Sequence, residues 1–218
     1  MPPSLPIGRS WWLLASLIAG IGYYLVKDSA LPWLLLVGLK GAGVALLAAY
    51  AGTLTGSEDA KMLAGVMAFG ALGDVLIELA LQWGALAFFC GHVLAIALYL
   101  RHRREVLPLS QKLAATTLLL APPAIAWLLP ADRAQASGIA IYALALGGMA
   151  CAAWASSFPR YRVGIGAVLF VASDLLIFAR MGPLASSPLP GLLIWPLYYI
   201  GQVLICSGVM QTLKARSA

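Results

Sequence analysis

Residues 31–50, LPWLLLVGLKGAGVALLAAY, carry one charge, Lys40, in twenty positions. An α-helix of that length covers about 30 Å, the thickness of the hydrocarbon core of a bilayer. Working outward, runs of the same character occur at 10–26, 61–80, 83–100, 112–129, 137–156, 162–181 and 192–212. Lipid offers backbone N–H and C=O groups no partner, so each crossing is expected to be helical. The whole chain is 62% hydrophobic and 10% charged, with a mean hydropathy of +0.92. A soluble domain carries about a quarter charged residues and could not hide this much apolar surface. The expected fold is all-α: one polytopic bundle of eight transmembrane helices over residues 1–218. No small-residue cleavage site follows the first run, which reads as a retained helix rather than a signal peptide.

The breaks between runs hold polar or turn residues: Lys27-Asp28, Gly56 to Asp59, Arg101 to Arg104, Pro130 to Asp132, and Pro183 to Pro190. Only Leu81-Gln82 separates the third run from the fourth. Arg9, Lys61, Arg101, Arg103, Arg104, Lys112, Arg160, Arg162, Lys214 and Arg216 fall on the side shared by both termini. The other side has Lys27, Arg133 and Arg180. The positive-inside rule then predicts cytoplasmic termini and a place in the plasma (inner) membrane. The net charge of +6 is accounted for by this belt facing anionic lipid. Nucleic acid is not an expected partner, because the basic residues are scattered loop anchors without interleaved aromatics. Cys90, Cys151 and Cys206 sit in apolar runs without metal-type spacing and read as small packing residues. The oligomeric state is not legible.

Gly73-Asp74-Val75-Leu76-Ile77 in the third run is echoed by Ser173-Asp174-Leu175-Leu176-Ile177 in the seventh. Gly91-His92-Val93-Leu94 in the fourth is echoed by Gly201-Gln202-Val203-Leu204 in the eighth. Two matches in the same order suggest a parallel four-plus-four repeat. Chance similarity among Leu, Ile, Val and Gly is the alternative.

Charges inside membrane helices are costly and face a cavity or one another. Lys40, Asp74, Glu78, His92 and Asp174 are such groups, and Tyr198, Tyr199 and Gln202 add polar atoms in the last run. Counting residues from the boundaries places most of them within about two helical turns of one level, which suggests a shared polar cavity. Other readings stand beside this one. The aspartates could pair structurally with Lys40 or His92. Glu78, one turn beyond Asp74, could mark the end of its helix. His92 could be a core histidine, and a metal site on His92, Asp74 and Asp174 is the remaining alternative. The Trp and Tyr residues read mainly as interface anchors. Ser173 is a weak nucleophile candidate, with no base identifiable from spacing. Pro122-Pro123 and Pro196 could mark broken helices, as in a transporter.

Phe69 to Ile77 (FGALGDVLI), followed by Gly84 to Leu98 (GALAFFCGHVLAIAL), resembles the first signature of the YhhN family of lysoplasmalogenases. Gly166 to Ala179 (GAVLFVASDLLIFA) resembles its second, and Tyr199 to Ile205 its last helix. Lys40 resembles the family's lysine in the second span, although Gly41 stands where proline usually follows. Glu78 lies outside the pattern. The resemblance runs from about residue 30 to 212. It implies an eight-helix enzyme that needs no known metal or cofactor. Such an enzyme cleaves the vinyl ether of lysoplasmalogens to a fatty aldehyde and glycerophosphoethanolamine or glycerophosphocholine. Asp74 and Asp174 are then the expected catalytic pair, one protonated and one ionised. Lys40, Glu78, His92, Tyr198, Tyr199 and Gln202 are the expected substrate-binding residues for a lysophospholipid arriving from the bilayer. A lipid or small-molecule transporter with a midplane polar site is the alternative, and a purely structural bundle ranks last.

Overall fold

A computed structural model describes residues 7–54 and 56–217, with side chains from 11 to 216. The Arg9 side chain, used above to infer orientation, lies outside the described residues. The described residues form eight α-helices: α1 (Ile7–Val26), α2 (Trp33–Gly52), α3 (Glu58–Leu76), α4 (Leu81–Arg101), α5 (Leu109–Leu128), α6 (Ala136–Ala155), α7 (Ile165–Arg180) and α8 (Leu189–Ser217). A 3-10 turn (Arg133–Gln135) leads into α6, and a π-helical turn (Arg160–Gly164) leads into α7. No strand occurs among the described residues. The expected all-α membrane bundle of eight helices is what the chain forms.

Among the described residues, five segments are long and apolar enough to cross a membrane by themselves: Trp33–Gly52, Leu81–Arg101, Arg133–Ala155, Arg160–Arg180 and Leu189–Arg216. Trp11–Val26 is apolar but shorter. Helix α3 is diluted by Glu58, Asp59, Lys61 and Asp74, and α5 by Lys112, Thr116, Thr117 and two prolines. Each packs along a more apolar neighbour, α3 on α2 and α5 on α6.

The chain divides into two compact units, Met1–Phe88 and Phe89–Ala218. The division falls inside α4, so the units do not coincide with the halves of the expected repeat. In the first unit α2 packs on both α1 and α3. Val44, Leu47, Ala51, Leu63 and Met67 are fully or almost fully buried there. Ser16 of α1 donates to the Gly43 carbonyl of α2 at 2.5 Å. Gly41 lets α3 approach, since a Cβ there would meet Val75 Cγ2 at 2.7 Å. Gly56, at φ +84°, turns the chain into α3, and Ser57 accepts the Ala60 N–H at 3.2 Å. Glu58 and Asp59 then occupy the first turn, where the helix dipole favours negative charge.

Helix α3 ends four residues earlier than the sequence suggests, at Leu76 rather than residue 80. Ile77, Leu79 and Ala80 prolong its apolar run around the single charge of Glu78, and no Gly or Pro marks a stop. The chain nonetheless reverses over residues 77–80, with Leu79 and Ala80 N–H both donating to Leu76 at 3.0 Å. Gly84 allows this tight turn, because a Cβ there would lie 2.5 Å from Ile77 Cβ.

In the second unit α5 pairs with α6, and α7 packs on both α6 and α8. Helices α5 and α8 run continuously through Pro122, Pro123 and Pro196, which corrects the expectation of broken helices. A proline within a helix leaves the carbonyl four residues back without its donor. For Pro122 and Pro123 those are Leu118 and Leu119. Gly147 of α6 covers both, and a Cβ there would come within 2.7 and 2.9 Å of the two oxygens. The glycine Cα–H groups thus reach carbonyls that the helix cannot satisfy. Helices α7 and α8 touch in a similar way: a Cβ on Gly166 or on Gly201 would meet the other's carbonyl oxygen at 2.7 Å.

One end of this unit gathers the basic residues. Arg104 donates to the Ser156 carbonyl at 2.8 Å and to that of Phe158 at 3.3 Å. Arg216 reaches His102 Nδ1 at 2.9 Å and Ser157 at 3.1 Å, and Arg162 bonds Gln211. At the other end, Ala131 N–H donates to Met181 at 3.0 Å and Gly182 lies against the Leu129 carbonyl. In both units many bulky apolar side chains are exposed, among them Ile18, Leu25, Leu34, Ile141 and Leu144. Many of the buried positions hold alanine or glycine. This is the packing expected where lipid is the solvent and small residues let helices approach.

Candidate functional site

In the first unit, Lys40 lies two turns into α2 and Glu78 lies in the turn after α3. Their side chains form an ion pair, Lys40 Nζ to Glu78 Oε1 at 2.5 Å, at 13% and 34% exposure. Glu78 thus lies just past the end of α3 rather than within it. The early end of α3 carries it out to the turn, where it neutralises the lysine. Asp74 remains in α3 at 2% exposure. Tyr23 of α1 is within Coulombic reach of both Glu78 and Asp74. The neighbouring Gly73 has the Phe88 ring laid over it, 2.7–2.8 Å from where a Cβ would be. Any side chain at residue 73 would displace that ring.

In the second unit the polar groups form a chain across helices. The Tyr142 hydroxyl on α6 donates to Asp174 Oδ2 on α7 at 2.6 Å. His92 Nε2 on α4 is 3.2 Å from the same hydroxyl oxygen. Asp174 is 5% exposed and His92 is 3% exposed. Phe170 stands edge-on to His92, with ring centroids 5.0 Å apart, and edge-on to Tyr198 at the same separation. Gln202 Nε2 reaches the Tyr198 hydroxyl at 3.3 Å, one turn along α8. Tyr199 stacks flat on Trp195. Ser173 donates to the Ile194 carbonyl at 2.9 Å and is fully buried. Its hydroxyl is therefore part of the α7–α8 contact rather than a presented nucleophile.

The structure thus joins Lys40 to Glu78, His92 to Asp174 through a tyrosine, and Tyr198 to Gln202. Asp74 and Asp174 belong to different units. Tyr142 is the site residue that the sequence did not announce. Tyrosine near the end of an apolar run is the usual mark of an interface anchor, and only its partner distinguishes this one. A weak signal was present in composition, because residues 137–156 contain no other phenol.

Apolar helices too numerous for a soluble core, with carboxyls buried within each unit, define a multi-pass membrane protein. The chain belongs to the YhhN family, whose sequence model matches residues 35–209. That stretch contains Lys40, Asp74, Glu78, His92, Tyr142, Asp174, Tyr198, Tyr199 and Gln202. No curated protein matches the chain, and no solved structure does.

Proposed function

We propose that this protein is a membrane hydrolase that cleaves the vinyl ether of lysoplasmalogens, with Asp74 and Asp174 as its acid–base pair. Family membership supports the class of reaction. The observation that carries the residue assignment is the burial of both aspartates, at 2% and 5% exposure, in a chain whose spans hold few charges. Hydrolysis of an enol ether begins with protonation of the β-carbon, which leaves an oxocarbenium ion. Water then adds to the cation and loses a proton, and the hemiacetal collapses to aldehyde and alcohol. The chemistry needs a proton donor, a base for water and negative charge near the cation, and two carboxyls supply all three. In this proposal Lys40 binds the phosphate, its ion pair with Glu78 opening to admit it. Tyr198, Tyr199 and Gln202 orient the glycerol end or the water, and His92 supports Asp174. The basic end of the second unit faces the cytoplasm at the inner membrane.

The transporter alternative loses one of its supports, since α5 and α8 are continuous. The experiment is direct: purify Asp74→Asn and Asp174→Asn and follow aldehyde release from lysoplasmenylethanolamine. Each variant is expected to fall at least about 10³-fold below wild type, the scale of a lost acid–base group. Folded variants with full activity would remove the proposal.

A further inference from the structure

The contacts around Asp174 carry one step more, which rests on the reading above. We propose that Tyr142 and His92 are positioning residues that fix the Asp174 carboxylate through a one-way chain of hydrogen bonds. Tyr142 has a single hydroxyl hydrogen, and it is directed to Asp174 Oδ2 at 2.6 Å. The oxygen of that hydroxyl can then only accept from His92 Nε2, 3.2 Å away. The order is therefore His92 Nε2–H to Tyr142 O–H to Asp174 Oδ2, and it sets the imidazole tautomer. The His92 ring is held edge-on by Phe170 at 5.0 Å and by Tyr142 at 5.6 Å. Phe178 holds the far side of Tyr142 at 5.8 Å. Three helices, α4, α6 and α7, thus determine the direction of one carboxyl group. Tyr142 occupies Oδ2, so Oδ1 is the oxygen assigned to the reacting atom or to water. The logic is that of a second residue holding a catalytic group in one rotamer.

The test has two arms. In the first, ¹⁵N-histidine NMR of the full-length protein in detergent is recorded with His102→Gln, which leaves His92 as the one histidine. The wild-type Tyr142 protein is expected to show a protonated, hydrogen-bonded Nε2. Tyr142→Phe is expected to move that resonance while leaving the thermal midpoint within a few degrees. In the second arm, Tyr142→Phe is expected to lower kcat on lysoplasmenylethanolamine at least about tenfold with KM within about twofold, the pattern of a misoriented catalytic group. His92→Gln, which keeps an N–H donor, is expected to retain more activity than His92→Leu. An Nε2 without a proton, or a Tyr142→Phe protein with unchanged NMR and unchanged kcat, would overturn the proposal. If Asp174→Asn is fully active while the NMR arm holds, the proposed function fails and the hydrogen-bonded chain survives as structure.

Discussion

At Glu78 an amide replacement separates charge from shape. Glu78→Gln keeps the volume and removes the charge 2.5 Å from a lysine that is 13% exposed. Removing one partner of a partly buried pair leaves the other unpaired, at a cost of about 1–3 kcal/mol here. A lowered melting midpoint in detergent is the measurement. The double variant Lys40→Met, Glu78→Gln is expected to recover most of the loss, because neither charge is then left alone. At this scale the sequence was readable wherever a charge interrupted an apolar run, as at Lys40, Asp74 and Asp174. It was less readable where one residue type has two uses. Tyr142 looks like any interfacial tyrosine until its hydroxyl is seen on Asp174. Glu78 is legible as a charge, but its place depends on where α3 stops.

Among the elements, two glycines are expected to be the least replaceable. Gly182→Ala would put a Cβ 2.0 Å from the Leu129 carbonyl oxygen. Backbone cannot yield as a flexible side chain does, so the connection after α7 must shift, at a cost of at least about 1–3 kcal/mol. Gly147→Val would wedge α6 away from the two carboxamide oxygens exposed by Pro122 and Pro123, with a similar loss. Yield of folded protein by size-exclusion chromatography checks both, with Gly138→Ala, which meets nothing within 4 Å, as the tolerant comparison. A smaller effect belongs to the turn before α6. Asp132 accepts from the Gln135 side chain and the Ala134 N–H, which hold its carboxyl below its ordinary 3.8. Its stabilising contribution is therefore present above that value and lost as pH falls through the lower folded one. Asp132→Asn is expected to flatten this acid limb of the melting curve. Helix positions followed well from hydropathy, because bilayer thickness fixes their length. Their ends followed less well: the turn at 77–80 is entirely non-glycine and non-proline, and the residue that permits it, Gly84, lies inside the next helix.

For the molecule as a whole, the gathered arginines make orientation a measurable property. Cysteine placed at Arg103 or at Ser186, with Cys90, Cys151 and Cys206 replaced by alanine, would be probed with an impermeant maleimide. Ser186 is expected to label in intact cells and Arg103 only after permeabilisation. The opposite pattern would invert the proposed topology. Membrane residence and fold class were legible because lipid leaves a compositional imprint on every span. The division within α4 was not, since no break in hydropathy marks Phe88 from Phe89. The outward placement of Leu25, Leu34 and Leu144 beside inward glycines also inverts the familiar map of mutational tolerance. In a comprehensive substitution survey, the exposed bulky aliphatic positions would accept one another freely. Intolerance would concentrate at the smallest side chains, so that the chain's evolutionary constraint is written in residues that contribute almost no hydrophobicity at all.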